Sequence, residues 1–130
     1  MTRAIVMAVV AAVLLAMPAL AQAPGSSPAD YVLITVFLRH DQTKNLDEIN
    51  KIQDEQGFWA KFPPDGIVVE SWYVMMGIGQ VVTLRVPPAR LREVNRAIEL
   101  SAWKAFRTEI YATYDLKEVA KAQRERAQKK

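Results

Sequence analysis

Residues 31–39 read YVLITVFLR, a run whose β-branched and aromatic content marks a strand. Successive strand residues face opposite ways, so Val32, Ile34, Val36 and Leu38 form one side and Tyr31, Leu33, Thr35 and Phe37 the other. Both sides are apolar. A sheet built around this strand requires cover on both faces, which excludes the common arrangement of one buried face and one polar, hydrated face.

The following residues arrange themselves in a regular order around that strand. Polar residues 40–44 lead to Asn45, an N-cap with Glu48 three positions on, the reciprocal pairing that opens a helix. Leu46, Ile49, Ile52, Gln56, Trp59 and Phe62 recur at spacings of three and four, the stripe of one amphipathic helix, and Pro63-Pro64-Asp65-Gly66 ends it. Residues 67–76 (IVVESWYVMM) predict a second strand, with Val68, Trp72, Val74 and Met76 opposing Val69, Tyr73 and Met75. After the turn Gly77-Ile78-Gly79, residues 80–86 (QVVTLRV) predict a third, and two strands so closely joined pair antiparallel. Pro87-Pro88 prepares a second helix, lined on one face by Leu91, Val94, Ile98, Ala102 and Ala105 and charged on the other. Residues 107–115 (RTEIYATYD) predict a fourth strand, with Tyr111 opposing Ile110 and Tyr114.

The order β-α-β-β-α-β predicts an α+β, ferredoxin-like domain over residues 31–115: a four-stranded antiparallel sheet with both helices on one face. The face without helices would then carry Leu33, Phe37, Tyr73 and Tyr111 in water, an apolar patch larger than monomers usually tolerate. Two copies closing sheet on sheet would bury it, so a homodimer is expected. The competing arrangement folds a third helix, residues 116–130, under the sheet, but its apolar stripe is only Leu116, Val119 and Ala120.

The ends of the chain read differently from the body. Residues 1–21 have one positive charge, Arg3, then an uninterrupted apolar run from Ala4 to Met17 and small residues before Ala21. That is the plan of a Sec-type signal peptide, with the run too short for a spanning helix. Cleavage is expected after Ala21, with Ala23 as the alternative, giving a periplasmic or secreted protein; residues 22–30 are a linker of turn formers. The chain has no cysteine, which excludes disulfides, Cys-based metal sites and a thiol nucleophile. The net charge of +3 resides in the basic tail, residues 116–130, where six Lys/Arg meet two Glu. The body lacks a basic face, so nucleic acid is not an expected partner, and membrane contact is expected only through the tail.

Several residues invite a chemical reading. His40, the sole histidine, is either a proton handler after the first strand or a solvated loop residue. Met75 and Met76 point to opposite faces and cannot share a metal ion, and no metal or cofactor is expected. Glu70 and Glu109 stand mid-strand, either as carboxylates of raised pKa or, as favoured here, paired across strands with Arg85 and Arg107. Gly77-Ile78-Gly79 is a hairpin turn, since no helix follows it to cradle a phosphate.

The pattern over Tyr31–Asp115 resembles the dimeric α+β-barrel superfamily, in particular its muconolactone-isomerase-like branch. The residues that carry the likeness are Gly57-Phe58-Trp59 at a helix end, the strand–turn–strand, Leu91 to Ile98, and Phe106 to Tyr111. The stretch SWYVMMGIGQ, residues 71–80, also resembles one in small exported bacterial proteins, a likeness that brings no function with it. The superfamily resemblance implies a ligand cavity between sheet and helices. Trp59, Trp72, Asn95, Trp103, Arg107 and Tyr111 would bind a small apolar or aromatic molecule there, against the plainer reading that the aromatics build the core and the dimer seam. It also implies, as an alternative, a cofactor-independent isomerase or monooxygenase with His40, Glu70 or Tyr73 handling protons. Haem-degrading relatives carry an iron ligand on the second helix, where this chain has no histidine. A third alternative is a subunit or scaffold of a periplasmic complex.

Overall fold

The computed structural model describes residues 30–129; the expected signal peptide and most of the linker lie outside them. Four strands, β1 (Val32–His40), β2 (Val68–Met75), β3 (Gly79–Val86) and β4 (Phe106–Thr113), form one antiparallel sheet in the order β2-β3-β1-β4. Helices α1 (Leu46–Gln56), α2 (Phe58–Lys61) and α3 (Leu91–Ser101) lie between strands in sequence, and α4 (Lys117–Gln128) follows β4. The chain is α+β, with an open sheet and helices consistent with a ferredoxin-like fold.

One sheet face and the helices share the core. Ile34, Val36 and Leu38 of β1 and Val82, Leu84 and Val86 of β3 are buried, each pointing to that inner face. They meet Ile49 of α1, Phe58 of α2, Phe62, Val94 and Ile98 of α3, and Ala102, Ala105 and Phe106. Phe58 and Phe62 stack at 5.4 Å, and both rings are essentially inaccessible. Each such side chain contributes about 1.5–3 kcal/mol on burial. The space between sheet and helices is therefore occupied by side chains, where the resemblance implied a ligand cavity.

The single helix expected from Asn45 to Phe62 is two. The capping box is formed: the Asn45 side chain accepts from the Glu48 N–H at 2.9 Å, and Glu48 accepts from the Asn45 N–H at 2.7 Å. Gly57, left-handed at φ 66°, ends α1 and resets the helical phase. In consequence Ile49 and Gln53 face the core from α1, Phe58 enters it from α2, and Leu46 and Trp59 stay about 60 % exposed. The stripe read from sequence assumed one unbroken phase.

A bulge in β2 corrects a second reading. Val68 pairs with Arg85 and Val69 with Leu84, whereas Ser71 pairs with Thr83, so Glu70 is the extra residue. Val68 therefore falls on the outer-face register with Tyr73, and Val69 on the inner register with Trp72. The fourth strand begins at Phe106 and ends at Thr113, so Tyr114 lies beyond it. None of the residues of α4 is buried, so the helix does not serve as a cover for the sheet.

The hairpin turn is locked to the end of β1. The His40 N–H donates to Ile78 O at 2.8 Å, and the Gln42 side chain to Gly77 O at 2.7 Å. Gly79 passes so close that a Cβ on it would sit 2.0 Å from Leu38 O and 2.9 Å from Arg39 Cα, and its φ of 151° disfavours L side chains. Gly79→Ala is expected to destabilise the fold by about 3 kcal/mol or more in urea unfolding. A loss below about 1 kcal/mol would contradict this close approach.

Candidate functional site

Three segments converge at one end of the sheet: the end of β1 with residues 41–42, the β2–β3 turn, and the loop from α3 into β4. They enclose a cleft of about 560 Å³ walled by Arg39, His40, Asp41, Ile78, Trp103, Lys104, Phe106 and Arg107, among others. That volume lies within the ~300–1,000 Å³ range of small-molecule sites.

His40 is the last residue of β1 rather than a solvated loop residue. It pairs in register with Phe106, and the two rings stack at 5.7 Å. Its Nε2 is buried without a hydrogen-bond partner. Trp103 is 61 % exposed beside it, held by the short loop that follows α3. On the outer-face side, Arg39 and Arg107 stand directly opposite each other in the β1–β4 ladder. Arg39 Nε lies 3.0 Å from Glu109 Oε1. The expected Glu109–Arg107 pair is thus replaced by Glu109–Arg39, because Arg107 is two residues from Glu109 on the same strand while Arg39 reaches it diagonally across the ladder. Among the described residues Arg107 and Lys104 have no ion-pair partner.

Asp41, the acidic residue of the cleft wall, is tied down. It receives Lys44 Nζ, the Thr43 hydroxyl at 2.6 Å and the Thr43 N–H at 3.0 Å. The Lys44 ammonium first, and then the Thr43 donors, hold its carboxyl well below the usual carboxylate range.

The other sequence candidates lie elsewhere. Trp59 stacks on Trp72 at 5.7 Å beside β2, and the Trp72 indole donates to Gln80 Oε1 at 2.7 Å. Asn95 is exposed on α3 and donates to Glu99 at 2.7 Å. Glu70 pairs with Arg85, as expected, and that guanidinium lowers its pKa. Tyr73 is exposed on β2, an edge strand of the sheet. The Tyr111 hydroxyl donates to Glu109 at 3.1 Å, which raises its pKa. Arg85 pairs in register with Leu33, seven residues from His40, so Glu70 and His40 are separated by roughly 20 Å along the strands. Of the candidates, His40, Trp103 and Arg107 share one cleft. Arg39, Lys104 and Ile78 were not singled out from sequence; the signal that finds Arg39 is the β1–β4 register, which sets it across from Arg107.

No family model matches the chain, and neither a curated protein nor a solved structure matches it.

A carboxyl with a folded pKa below its unfolded value, here near 3.8, stabilises the fold above that value and loses this contribution as the pH falls below it. Between about pH 7 and about pH 3, Asp41→Asn is expected to show a smaller drop in urea midpoint than the wild type. Equal drops would mean that the Asp41 contacts do not persist in solution.

Proposed function

We propose that the chain is an exported, ferredoxin-like domain that works as a homodimer and binds a small aromatic molecule. The observation that carries the binding reading is the cleft at the sheet end. It combines an exposed indole at Trp103 with an aliphatic wall at Ile78. The exposed Trp103 and Ile78 side chains give the cleft apolar surface that a bound ring would take out of water.

The homodimer reading is supported by the outer face of the sheet. Tyr73 and Tyr111 are 67 % and 51 % exposed there, beside half-buried Leu33, Phe37 and Val81. The polar groups among them are already paired. Thr35 Oγ1 lies 3.2 Å from Thr83 Oγ1 and 2.9 Å from Thr113 Oγ1, and Thr113 donates on to Leu33 O. Burying a hydroxyl without a partner is costly, and this chain of hydroxyls avoids that cost when a second sheet closes over it. Of the charged groups on this face, Arg85 pairs with Glu70 and Arg39 with Glu109, while Arg107 at the end of the sheet stays unpaired among the described residues. This agrees with the resemblance to the dimeric α+β-barrel superfamily.

Light scattering at tens of micromolar is expected to give about twice the mass of one chain, and Phe37→Lys to give a monomer with unchanged far-ultraviolet circular dichroism. A monomeric wild type would remove the dimer. For the binding reading, the Trp103 indole NMR signal should shift on titration with benzyl alcohol, and the binding should vanish in Trp103→Ala. A signal that stays put would remove the ligand.

A further inference from the structure

We propose that the cleft at the sheet end takes an aromatic carboxylate, its anionic group held by Arg107 and Lys104 and its ring laid against Trp103. This rests on the small-molecule reading above and adds the charge and shape of the ligand.

The argument starts from the ladder. Antiparallel pairing sets Arg39 opposite Arg107, and like charges directly opposed across a ladder destabilise it. One carboxylate, Glu109, answers them, and it is committed to Arg39 and to the Tyr111 hydroxyl. Lys104 adds a third cation to the wall. The wall's acidic residue, Asp41, is taken up by Lys44 and Thr43. The cleft is therefore left with two uncommitted cations, Arg107 and Lys104, close to a ladder position where positive charge is already crowded. An anion entering there relieves the repulsion and gains charge-assisted hydrogen bonds. The guanidinium fork matches a carboxylate in two parallel bonds, and the lysine adds a point charge.

The remaining walls select the body of the ligand. Trp103 and Ile78, both exposed, present flat and aliphatic surface. A bare inorganic anion would leave that surface wet, whereas an aryl ring covers it.

The test is calorimetric titration of the purified protein with benzoate, benzyl alcohol and sulfate, probes that separate charge from ring. Benzoate is expected to bind at least about tenfold more tightly than either of the others. Arg107→Gln, at an exposed position, should bring benzoate down to the level of benzyl alcohol. Lys104→Gln, on the loop before β4, should weaken it about threefold or more, and serves alone if Arg107→Gln fails to fold. Equal affinity for benzoate and benzyl alcohol would overturn the anion site and leave the small-molecule reading standing. Sulfate binding as tightly as benzoate would overturn the aromatic part. Full benzoate affinity in the lysine or arginine variant would overturn the assignment of the cations. Absence of binding by all three probes would remove this proposal together with the small-molecule reading.

Discussion

The fold depends on β1 having two apolar faces. It sits between β3 and β4, so Leu33 to Arg39 are paired on both sides, and its side chains alternate between two environments. Ile34, Val36 and Leu38 are buried among the helices, which cover one face of the sheet. One layer of helices can bury one face. The outward-facing Leu33 and Phe37 then depend on their neighbours across the ladders, Val81 and Arg85 on β3 and Glu109 and Thr113 on β4, for what partial cover they have. The threonine chain across β3, β1 and β4 lies in the middle of this surface and satisfies its own hydroxyls. Cross-strand threonine pairs of this kind stabilise the ladders directly.

What could be read from residues and what could not divide along physical lines. The strands and their succession along the chain are legible because β-branched runs and the intervening three-and-four spacing are local signals. The capping box at Asn45 and Glu48 was legible for the same reason. The break at Gly57 was not, because a glycine within an otherwise helical pattern is compatible with either continuation or a left-handed stop, and tertiary packing decides. That one residue turned Phe58 inward and left Trp59 outside. The β2 bulge at Glu70 was hidden likewise, since an alternating pattern does not reveal an inserted residue until the partner strand supplies the register. Glu109 pairs with Arg39 rather than Arg107 because partner choice across a sheet is a property of two strands at once. His40 opens the polar run that follows the strand-like residues, so its place in β1 shows only through its pairing with Phe106.

The cleft follows from those same non-local facts. Its walls come from three segments distant in sequence, brought together where β1 ends, β4 begins and the β2–β3 turn folds over. The close approach of Gly79 and the Ile78 carbonyl fasten the turn to β1 through backbone contacts, and the Gln42 side chain adds a bond to Gly77 O. The wall at Ile78 is thereby held in place by main-chain geometry, and a site on such a frame loses little freedom when a molecule enters. The opposite wall hangs from α3, whose buried Val94, Ile98 and Ser101 fix where the loop with Trp103 and Lys104 emerges.

The crowded guanidiniums at this end are a consequence of the core rather than an accident beside it. A slip of one residue in the β1–β4 ladder would separate Arg39 from Arg107, but it would also exchange the faces of β1 or β4. For β1 that would carry Ile34, Val36 and Leu38 out of the core, at about 1.5–3 kcal/mol for each side chain exposed. Exposed charge repulsion is screened by water and salt and is far too weak to force that exchange. The register is therefore set by apolar burial, and it keeps Arg39 and Arg107 at opposed ladder positions whatever their mutual repulsion. Glu109 answers one of them. The other keeps its charge open toward the cleft, so the property that makes this end of the sheet receptive to an anion is imposed by the same alternation in β1 that makes the fold.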